Sequence, residues 1–383
     1  MQFTAEPGSP IFSVAIREPA DWTPDRATAW FEGLLPEGEM RARIAARFGV
    51  ADSDSFGLLE AIGWECAGAI SVLPDGHGPP TGTYRVLTDD EVGLRLDALP
   101  GRPLDDDAAL RASLGGVQSK LVLARRGDAW MEPLDGAPST HILKPEPEIW
   151  PGIAAAEAWA LALAAAATSA AEAEVRDGLG SRPVVVVRRF DRRDGEPITR
   201  IHQEDLCQML GLPPTAKYAE PPPKPWKPSW QHLAAALLAR SVDPPAELDR
   251  LLRQLTVNLA LGNADAHAKN LAVLHLGDGQ ITLSPMYDVV PTLAFIARQR
   301  LVSLPVGGRY RLADIGAEQV VAEARGWGIP QRVAWTTVDA TVDAIKAGIP
   351  AADENVPSIP DRVRAVVIAQ VEHLASTVAT GRR

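Results

Sequence analysis

The chain has 383 residues, 46% of them apolar and 23% charged, with a formal net charge of −11. That length buries a substantial core and suggests about two or three domains, and the negative balance excludes broad nucleic-acid or anionic-membrane binding, leaving open only a local basic groove. Two cysteines, Cys66 and Cys207, lie far apart in apolar settings, which rules out a disulfide framework and suits a reducing cytoplasm.

The opening residues do not read as a basic-then-apolar leader. Residues 11–16 alternate with period two and predict a strand. Residues 23–48 predict two helices around Leu34-Leu35-Pro36-Glu37-Gly38, with Trp30, Phe31, Leu34 and Leu35 on the apolar face. A short helix over 56–62, a strand over 68–73 and a Gly/Pro-rich loop over 74–82 follow. A polar segment, 102–107, precedes 110–116. Two strands, 120–124 and 141–144, are joined by a charged hairpin. A helix is predicted over 153–173; the uncharged run 158–171 inside it is too short and alanine-rich to span a membrane. A buried strand, 183–187, runs into Arg188-Arg189-Phe190-Asp191-Arg192. Helices then dominate, over 233–238 and 248–261, and at the spacings of Val338, Val342 and Ile345 and of Val363, Val366, Val367, Val371 and Leu374. Seven prolines fall within 213–228, predicting an extended, non-helical excursion. No internal repeat is visible. The order predicts an α+β chain in two kinase-like lobes: a mixed unit over 1–100, a strand-rich lobe with one long helix over 101–200, and a helical lobe over 201–383.

The chemistry concentrates in Gly262-Asn263-Ala264-Asp265-Ala266-His267-Ala268-Lys269-Asn270, where Asp265 precedes Asn270 by five residues, and in Asp288, 18 residues further on. Phosphoryl transfer needs a carboxylate at the attacking hydroxyl, an amide oxygen on Mg²⁺ and a second carboxylate between metal and phosphate. Asx residues also cap helices and make turns, so one such pair alone carries little; three, each beside an apolar run, carry more. Asp265 is the expected base, with Asn270 and Asp288 the metal ligands. His267 is expected to brace the loop through a ring hydrogen bond, and Lys269 to reach phosphate or to serve the catalytic loop.

Lys144 ends a predicted strand, and Glu157, 13 residues on in the long helix, is the only charge between Gly152 and Ala171. A carboxylate in such a setting needs a partner, and a strand lysine paired with a helix glutamate is how kinases hold the α/β-phosphates. Lysine is scarce, 7 of 38 basic residues; Lys120, Lys144 and Lys269 all sit in these segments, where a compact ammonium differs from a guanidinium fork. Ser113-Leu114-Gly115-Gly116-Val117-Gln118-Ser119-Lys120 is a glycine-containing turn whose amides could approach phosphate. Its spacing is neither that of a Walker loop nor G-x-G-x-x-G, and an ordinary hairpin turn would read the same.

Taken in order, these segments resemble the HipA family of toxin serine/threonine kinases. The resemblance runs through Leu34–Gly38, Gly63-Trp64-Glu65-Cys66-Ala67-Gly68-Ala69, Ser113 to Lys120, Thr140 to Lys144, Arg189 to Arg192, Gln203 to Gln208, Lys217-Tyr218, Gly262 to Asn270 and Pro285 to Asp288. It implies an ATP- and Mg²⁺-dependent protein kinase, with Asp265 catalytic, Asn270 and Asp288 on metal and Lys144 on phosphate. The 113–120 loop would cover nucleotide, with Ser113, or alternatively Ser119, autophosphorylated as an off-switch. An interlobe hinge near Arg188–Asp191, with Arg189 and Phe190 in it, would read adenine through its backbone. It further implies an aminoacyl-tRNA synthetase as target and a HipB-like helix-turn-helix antitoxin as partner, with DNA reached only through that antitoxin. The chain begins at a strand that in relatives follows a further strand pair, so a small separate protein resembling the N-terminal subdomain is an alternative partner. Gly115-Gly116-Val117 stands where many relatives have Ala-Gly-Ala. The same Asp, Asn and Asp would also serve a small-molecule phosphotransferase on a related fold, and a non-catalytic binding module remains the reading from a different class.

Overall fold

The computed structural model describes residues 13–15, 23–77, 82–99, 112–113, 115–116, 118–222, 224–296 and 300–381. The N-terminal unit is three short helices. In α1 (Pro24–Glu32) the Thr23 side chain accepts from Arg26 N and proline occupies the first turn, as helix starts favour. Helix α2 (Gly38–Phe48) ends at Gly49, whose φ is 66°, and α3 (Ser55–Ile62) is capped by Asp54. Trp30, Phe31, Leu34, Leu35, Ile44, Leu58, Leu59 and Ile62 close this unit's core.

The strand-rich lobe follows. Strand β1 (Glu65–Cys66) precedes β2 (Thr83–Leu87), and α4 (Asp89–Asp97) is opened by a capping box between Thr88 and Glu91. Then come β3 (Ala112–Ser113), β4 (Leu121–Arg126), β5 (Ala129–Leu134), β6 (His141–Pro145), α5 (Ile153–Ala167), β7 (Ala173–Arg176) and β8 (Val184–Arg188). Six strands form one sheet in the order β2-β5-β4-β6-β8-β7, every pair antiparallel. β1 instead pairs in parallel with β3, setting Cys66 opposite Ser113. Helix α5 is buried on every side over Ala154–Leu161, with Ala165 and Ala166 exposed in its last turn, as expected for a helix so largely apolar.

The helical lobe opens with small strands, β9 (Arg192–Arg193), β10 (Thr199–Arg200) and β11 (Gln203–Asp205), then α6 (Leu206–Leu210), α7 (Trp230–Arg240) and α8 (Pro244–Ala260). β12 (Ala272–His275) and β13 (Ile281–Leu283) join β11 in a three-stranded antiparallel sheet. The hairpin β14 (Leu301–Val306) and β15 (Arg309–Arg311) leads to α9 (Ala317–Gly326), α10 (Gln331–Asn355) and α11 (Asp361–Gly381). α5, α8, α10 and α11 share one large apolar core, and Trp159 of α5 donates its indole N–H to Asp353 Oδ1 of α10 at 3.0 Å.

Four predicted elements differ. Of the strand over 11–16, only 13–15 lie in the described residues, and they are bent. Val14 N–H goes to the buried Glu204 carboxylate at 2.8 Å and Ala15 N–H to Ser13 Oγ at 3.1 Å, so side chains take the donors a ladder would use. Residues 68–73 make no ladder; Gly68, at φ 71°, turns the chain away after β1. The helix expected to 173 stops at Ala167, because Ala171 N–H bonds Met286 O and Met286 N–H bonds Ser169 O, drawing that backbone into an extended pairing with the Asp288 segment. The hairpin after 120–124 contains a full strand, β5. The proline excursion holds one three-residue 3₁₀ turn, Pro214–Ala216, and no α-helix among its described residues. Leu110, Leu114 and the 102–107 segment lie outside the described residues.

Candidate active site

β6 and α5 are adjacent layers, and Lys144 on the strand meets Glu157 on the helix. Lys144 Nζ donates to Glu157 Oε1 at 2.8 Å and to Asp288 Oδ1 at 2.7 Å. Glu157 is 2% exposed. Burial pushes its carboxyl up and Lys144 works against that. Burial also pulls the Lys144 ammonium down, but Asp288 and Glu157 more than offset this and leave it raised. Lys144 in turn holds the Asp288 carboxyl well below the usual carboxylate range. Asp288 has φ 54°, a conformation rare outside glycine that clusters at functional sites.

Asp265 follows the turn after α8. Its backbone carbonyl accepts from His267 N–H at 2.8 Å and Asn270 Nδ2 at 3.2 Å, closing a compact loop. Ser303 Oγ donates to Ala264 O at 3.0 Å and lies 3.3 Å from Asp265 Oδ1. Burial raises the Tyr218 phenol, and the adjacent Asp265 carboxylate raises it further. The expected His267 ring hydrogen bond is not formed at Nδ1, which has no partner among the described residues. The neighbouring carbonyls of Asp265 and His267 already serve backbone and Asn270 donors, and the ring instead stands edge-on to Tyr218 at 5.4 Å. Burial holds the imidazole below its ordinary pKa.

Lys269 does not turn toward Asp265. Its ammonium donates to Gly33 O at 2.9 Å and lies 3.3 Å from Asp205 Oδ2 and 3.9 Å from Glu37 Oε1. Burial pulls it down, but Asp205 and Glu37 outweigh burial and its pKa is raised. The Lys269 ammonium thus ties the Asp265 loop to the N-terminal unit, beside Gly115 of the glycine turn.

In the glycine turn, Pro36 and Gly116 form a parallel bridge, and Glu37 N–H donates to Gly116 O at 3.0 Å. A Cβ on Gly115 would stand 2.9 Å from Gly33 O, and Gly116 adopts φ +113°. A side chain at Gly115 would thus force the end of α1 to shift, and the backbone conformation at Gly116 favours glycine. Lys120 Nζ donates to Gly115 O at 2.6 Å; burial and the neighbouring Lys144 pull it down to about 8. Gln118 and Ser119 are partly buried beside it. Val117 lies outside the described residues, and of Ser113 the backbone pairing with Cys66 is what the structure gives.

Arg189 differs from expectation. The residue is 4% exposed, and its guanidinium donates to both Asp191 oxygens, Glu65 Oε1, Ser139 Oγ and Cys66 O. Its amide is taken by Thr140 O. Arg192 adds Glu65 Oε1 and the Cys66 and Gly68 carbonyls, and Gly68 N–H reaches Asp191 at 2.7 Å. Arg189 is therefore a clamp between the N-terminal unit and the hinge, its side chain and amide both engaged by protein groups. Phe190 packs its ring 5.2 Å from Tyr287, and its backbone amide and carbonyl bond none of the described residues.

The donor set fits a hard cation held jointly with phosphate. The Asn270 amide nitrogen is fixed on Asp265 O, which leaves the amide oxygen to face elsewhere, and Asp288 keeps one carboxylate oxygen that Lys144 does not bond. Mg²⁺ is typically held by one or two such ligands plus phosphate and water. No cluster of three or more His, Cys, Asp or Glu suited to a metal occurs among the described residues.

Sequence reasoning missed Ser303, Glu37 and Asp205 as neighbours of these groups. A serine inside the apolar strand Leu301–Val306 was a readable signal; the reach of Glu37 and Asp205 was not, because their partners are distant in sequence.

The fold and this cleft define a two-lobed, kinase-like protein. Residues 2–73 match the HipA N-terminal domain family and residues 112–349 the HipA-like C-terminal domain family. The putative kinase Y4mE of Sinorhizobium fredii is 37% identical over 330 residues, 82% of this chain and 77% of its own length. The serine/threonine-protein kinase toxin HipA of Shewanella oneidensis is 27% identical over 321 residues, 81% of this chain and 73% of its own length. In structure, HipA from the Shewanella oneidensis MR-1 complex of HipA, HipB and operator DNA superposes with TM-score 0.78 at 24% identity, covering 96% of this chain and 89% of that one. The chain belongs to the HipA family. Among the described residues, no helix is long and apolar enough to cross a membrane.

Proposed function

We propose that this chain is an ATP- and Mg²⁺-dependent serine/threonine protein kinase, acting in the cytoplasm as the toxin of a toxin–antitoxin pair. The observation that carries the reading is Lys144, buried between Glu157 and Asp288. It is the arrangement by which kinases fix a phosphate-binding lysine beside a metal-binding aspartate. Bound Mg²⁺-ATP would supply the transferable γ-phosphoryl group. Asn270 and Asp288 would hold the metal, and Lys144 and Lys120 the phosphates. The glycine loop would cover the nucleotide, and the unpaired Phe190 backbone would face the base. Asp265, oriented by Ser303, would align the acceptor hydroxyl and take its proton on a carboxylate oxygen.

The acceptor is proposed to be a protein, an aminoacyl-tRNA synthetase in particular, with autophosphorylation of Ser113 as the off-switch. A HipB-like antitoxin is supported by the relative solved with HipB and operator DNA, and DNA would be met only through it. The test is transfer of labelled phosphate from Mg²⁺-ATP to a synthetase-containing extract, beside a panel of amino sugars, with Asp265→Ala as control. Labelled synthetase in the wild-type arm alone is expected. Labelled sugar without labelled protein would overturn the reading.

A further inference from the structure

Glu37 stands in the Leu34–Gly38 turn, far in sequence from every residue assigned above. Its carboxylate nevertheless reaches both segments that frame Asp265. Lys217 Nζ donates to Glu37 Oε2 at 2.7 Å, and Lys269 Nζ lies 3.9 Å from Glu37 Oε1. Lys217 and Lys269 are only 7% and 8% exposed. Each lysine is tied directly to the active-site loop. The Lys217 carbonyl accepts from Ala268 N–H at 3.1 Å, and its neighbour Tyr218 meets both Asp265 and His267. Lys269 lies between His267 and Asn270 in sequence, and its carbonyl accepts from Tyr287 Oη at 2.7 Å, next to Asp288. The backbone of Glu37 makes a third link, its amide donating to Gly116 O of the glycine loop.

We propose that Glu37 is a positioning residue for phosphoryl transfer, aligning the Asp265 segment through Lys217 and Lys269 while its amide holds the glycine loop. The inference rests on the kinase reading above. Removing the carboxylate would not affect the two lysines equally. Lys269 keeps Asp205 and Gly33 O; among the described residues, Lys217 keeps only its place over its own neighbour's ring, 5.6 Å from the Tyr218 centroid. A buried ammonium without a carboxylate is driven to rearrange, so Lys217-Tyr218 is the segment that shifts. The backbone link to Gly116 survives any side-chain change at Glu37, so nucleotide affinity and turnover should separate.

The experiment compares wild type with Glu37→Gln, Glu37→Asp, Lys217→Met and the Gln/Met pair, using Mg²⁺-ATP with casein as a generic acceptor and amide hydrogen exchange on the same samples. A displacement of about 1 Å at reacting groups is worth about 10²-fold, so Glu37→Gln should lower kcat by about 10–100-fold. KM for ATP should stay within about threefold, the pattern of an interaction lost mainly at the transition state. Glu37→Asp should recover part of the loss, and the pair should lose no more than the worse single variant. Exchange should quicken at 217–219 and 264–270 and nowhere else. A Glu37→Gln kcat within about twofold of wild type, or unchanged exchange in both segments, would overturn the proposal. So would exchange raised throughout the chain, which marks a merely structural residue. Wild type inactive on every acceptor would instead refute the kinase reading, and the exchange data would then decide the Glu37 link alone.

Discussion

The Lys144 ammonium lies 2.7 Å from Asp288 Oδ1, joining a strand of the six-stranded sheet to a carboxylate 144 residues further along the chain. Glu157, at 2.8 Å on the same ammonium, fixes the lysine from the helix side. Three residues on three elements therefore act as one unit, and their substitutions should not add. Glu157→Gln and Lys144→Met are each expected to lower kcat/KM by about 10²-fold, the scale of a misplaced reacting group, and the double variant by little more. Steady-state kinetics of the cycle checks this, and additive losses would show that the pair acts separately. Because one partner of a buried pair is removed, Glu157→Gln should also lower the unfolding free energy by about 3 kcal/mol in urea titrations.

Asp288→Asn and Asn270→Ala should raise the Mg²⁺ concentration needed for ATP binding, and Asp265→Ala should not. Carboxylate and amide oxygens are the usual ligands of hard cations, whereas Asp265 is assigned to the acceptor hydroxyl. Titrating Mg²⁺ at fixed ATP against the three variants gives the comparison; equal Mg²⁺ requirements would remove Asn270 and Asp288 from the metal.

Lys120 makes the site sensitive to pH. Its pKa is about 8 in the folded protein, against an ordinary 10.5. A group so depressed penalises the fold while it is charged in both states, at pH values below 8. That penalty is relieved as pH rises from about 8 toward 10.5, because the unfolded chain then binds more protons. A nearby phosphate anion would favour the charged lysine. Mg²⁺-ATP binding should therefore take up protons above about pH 8 and weaken as pH rises further. Calorimetry in buffers of different ionisation enthalpy measures the uptake, and Lys120→Met should abolish it.

Asp265→Ala should abolish phosphate transfer while leaving the melting temperature near wild type, since acid–base assistance alone contributes about 10²–10⁴-fold. In wild type incubated with Mg²⁺-ATP, mass spectrometry should find phosphate on Ser113 and none in the variant. Added charge of about −1.5 to −2 in the glycine loop repels the ATP phosphates, so ATP affinity of the modified protein should fall. Phosphate on Ser119 instead would move the switch six residues; full activity with neither serine modified would leave antitoxin binding as the brake.

The buried cluster of Glu65, Arg189, Asp191 and Arg192 should matter to stability more than to chemistry. Burial pushes the Asp191 carboxyl up, but Arg189 and Arg192 outweigh it and hold it well below the usual range. Its contribution is therefore present above the ordinary carboxylate pKa, about 4, and is lost as pH falls below that. Arg189→Ala leaves two carboxylates short of a partner and should destabilise by about 3–5 kcal/mol. Urea unfolding at pH 7 and an acid titration of the wild type test both statements.

The chain's periodicity and turn chemistry determined its local elements. The caps at Thr23 and Asp54, the alanine-rich run of α5 and the valine strand Val184–Arg188 each follow from neighbours in sequence. The compact Asp265–Asn270 loop is likewise local, because it is closed by its own backbone. Tertiary structure decided which partners those groups keep. Lys269 sits inside the most informative motif yet turns to Gly33 and Asp205, and Arg189 turns its guanidinium to distant Glu65 as well as to its neighbour Asp191. The strand expected at 68–73 does not form, and a helix expected to 173 gives up its last residues to Met286. Arg189 reaches Glu65 124 residues away, Lys269 reaches Gly33 236 residues away, and the backbone at Ala171 is drawn to Met286. The desolvation penalty for leaving such a group alone exceeds any local preference, and sequence spacing does not record which distant group will meet it.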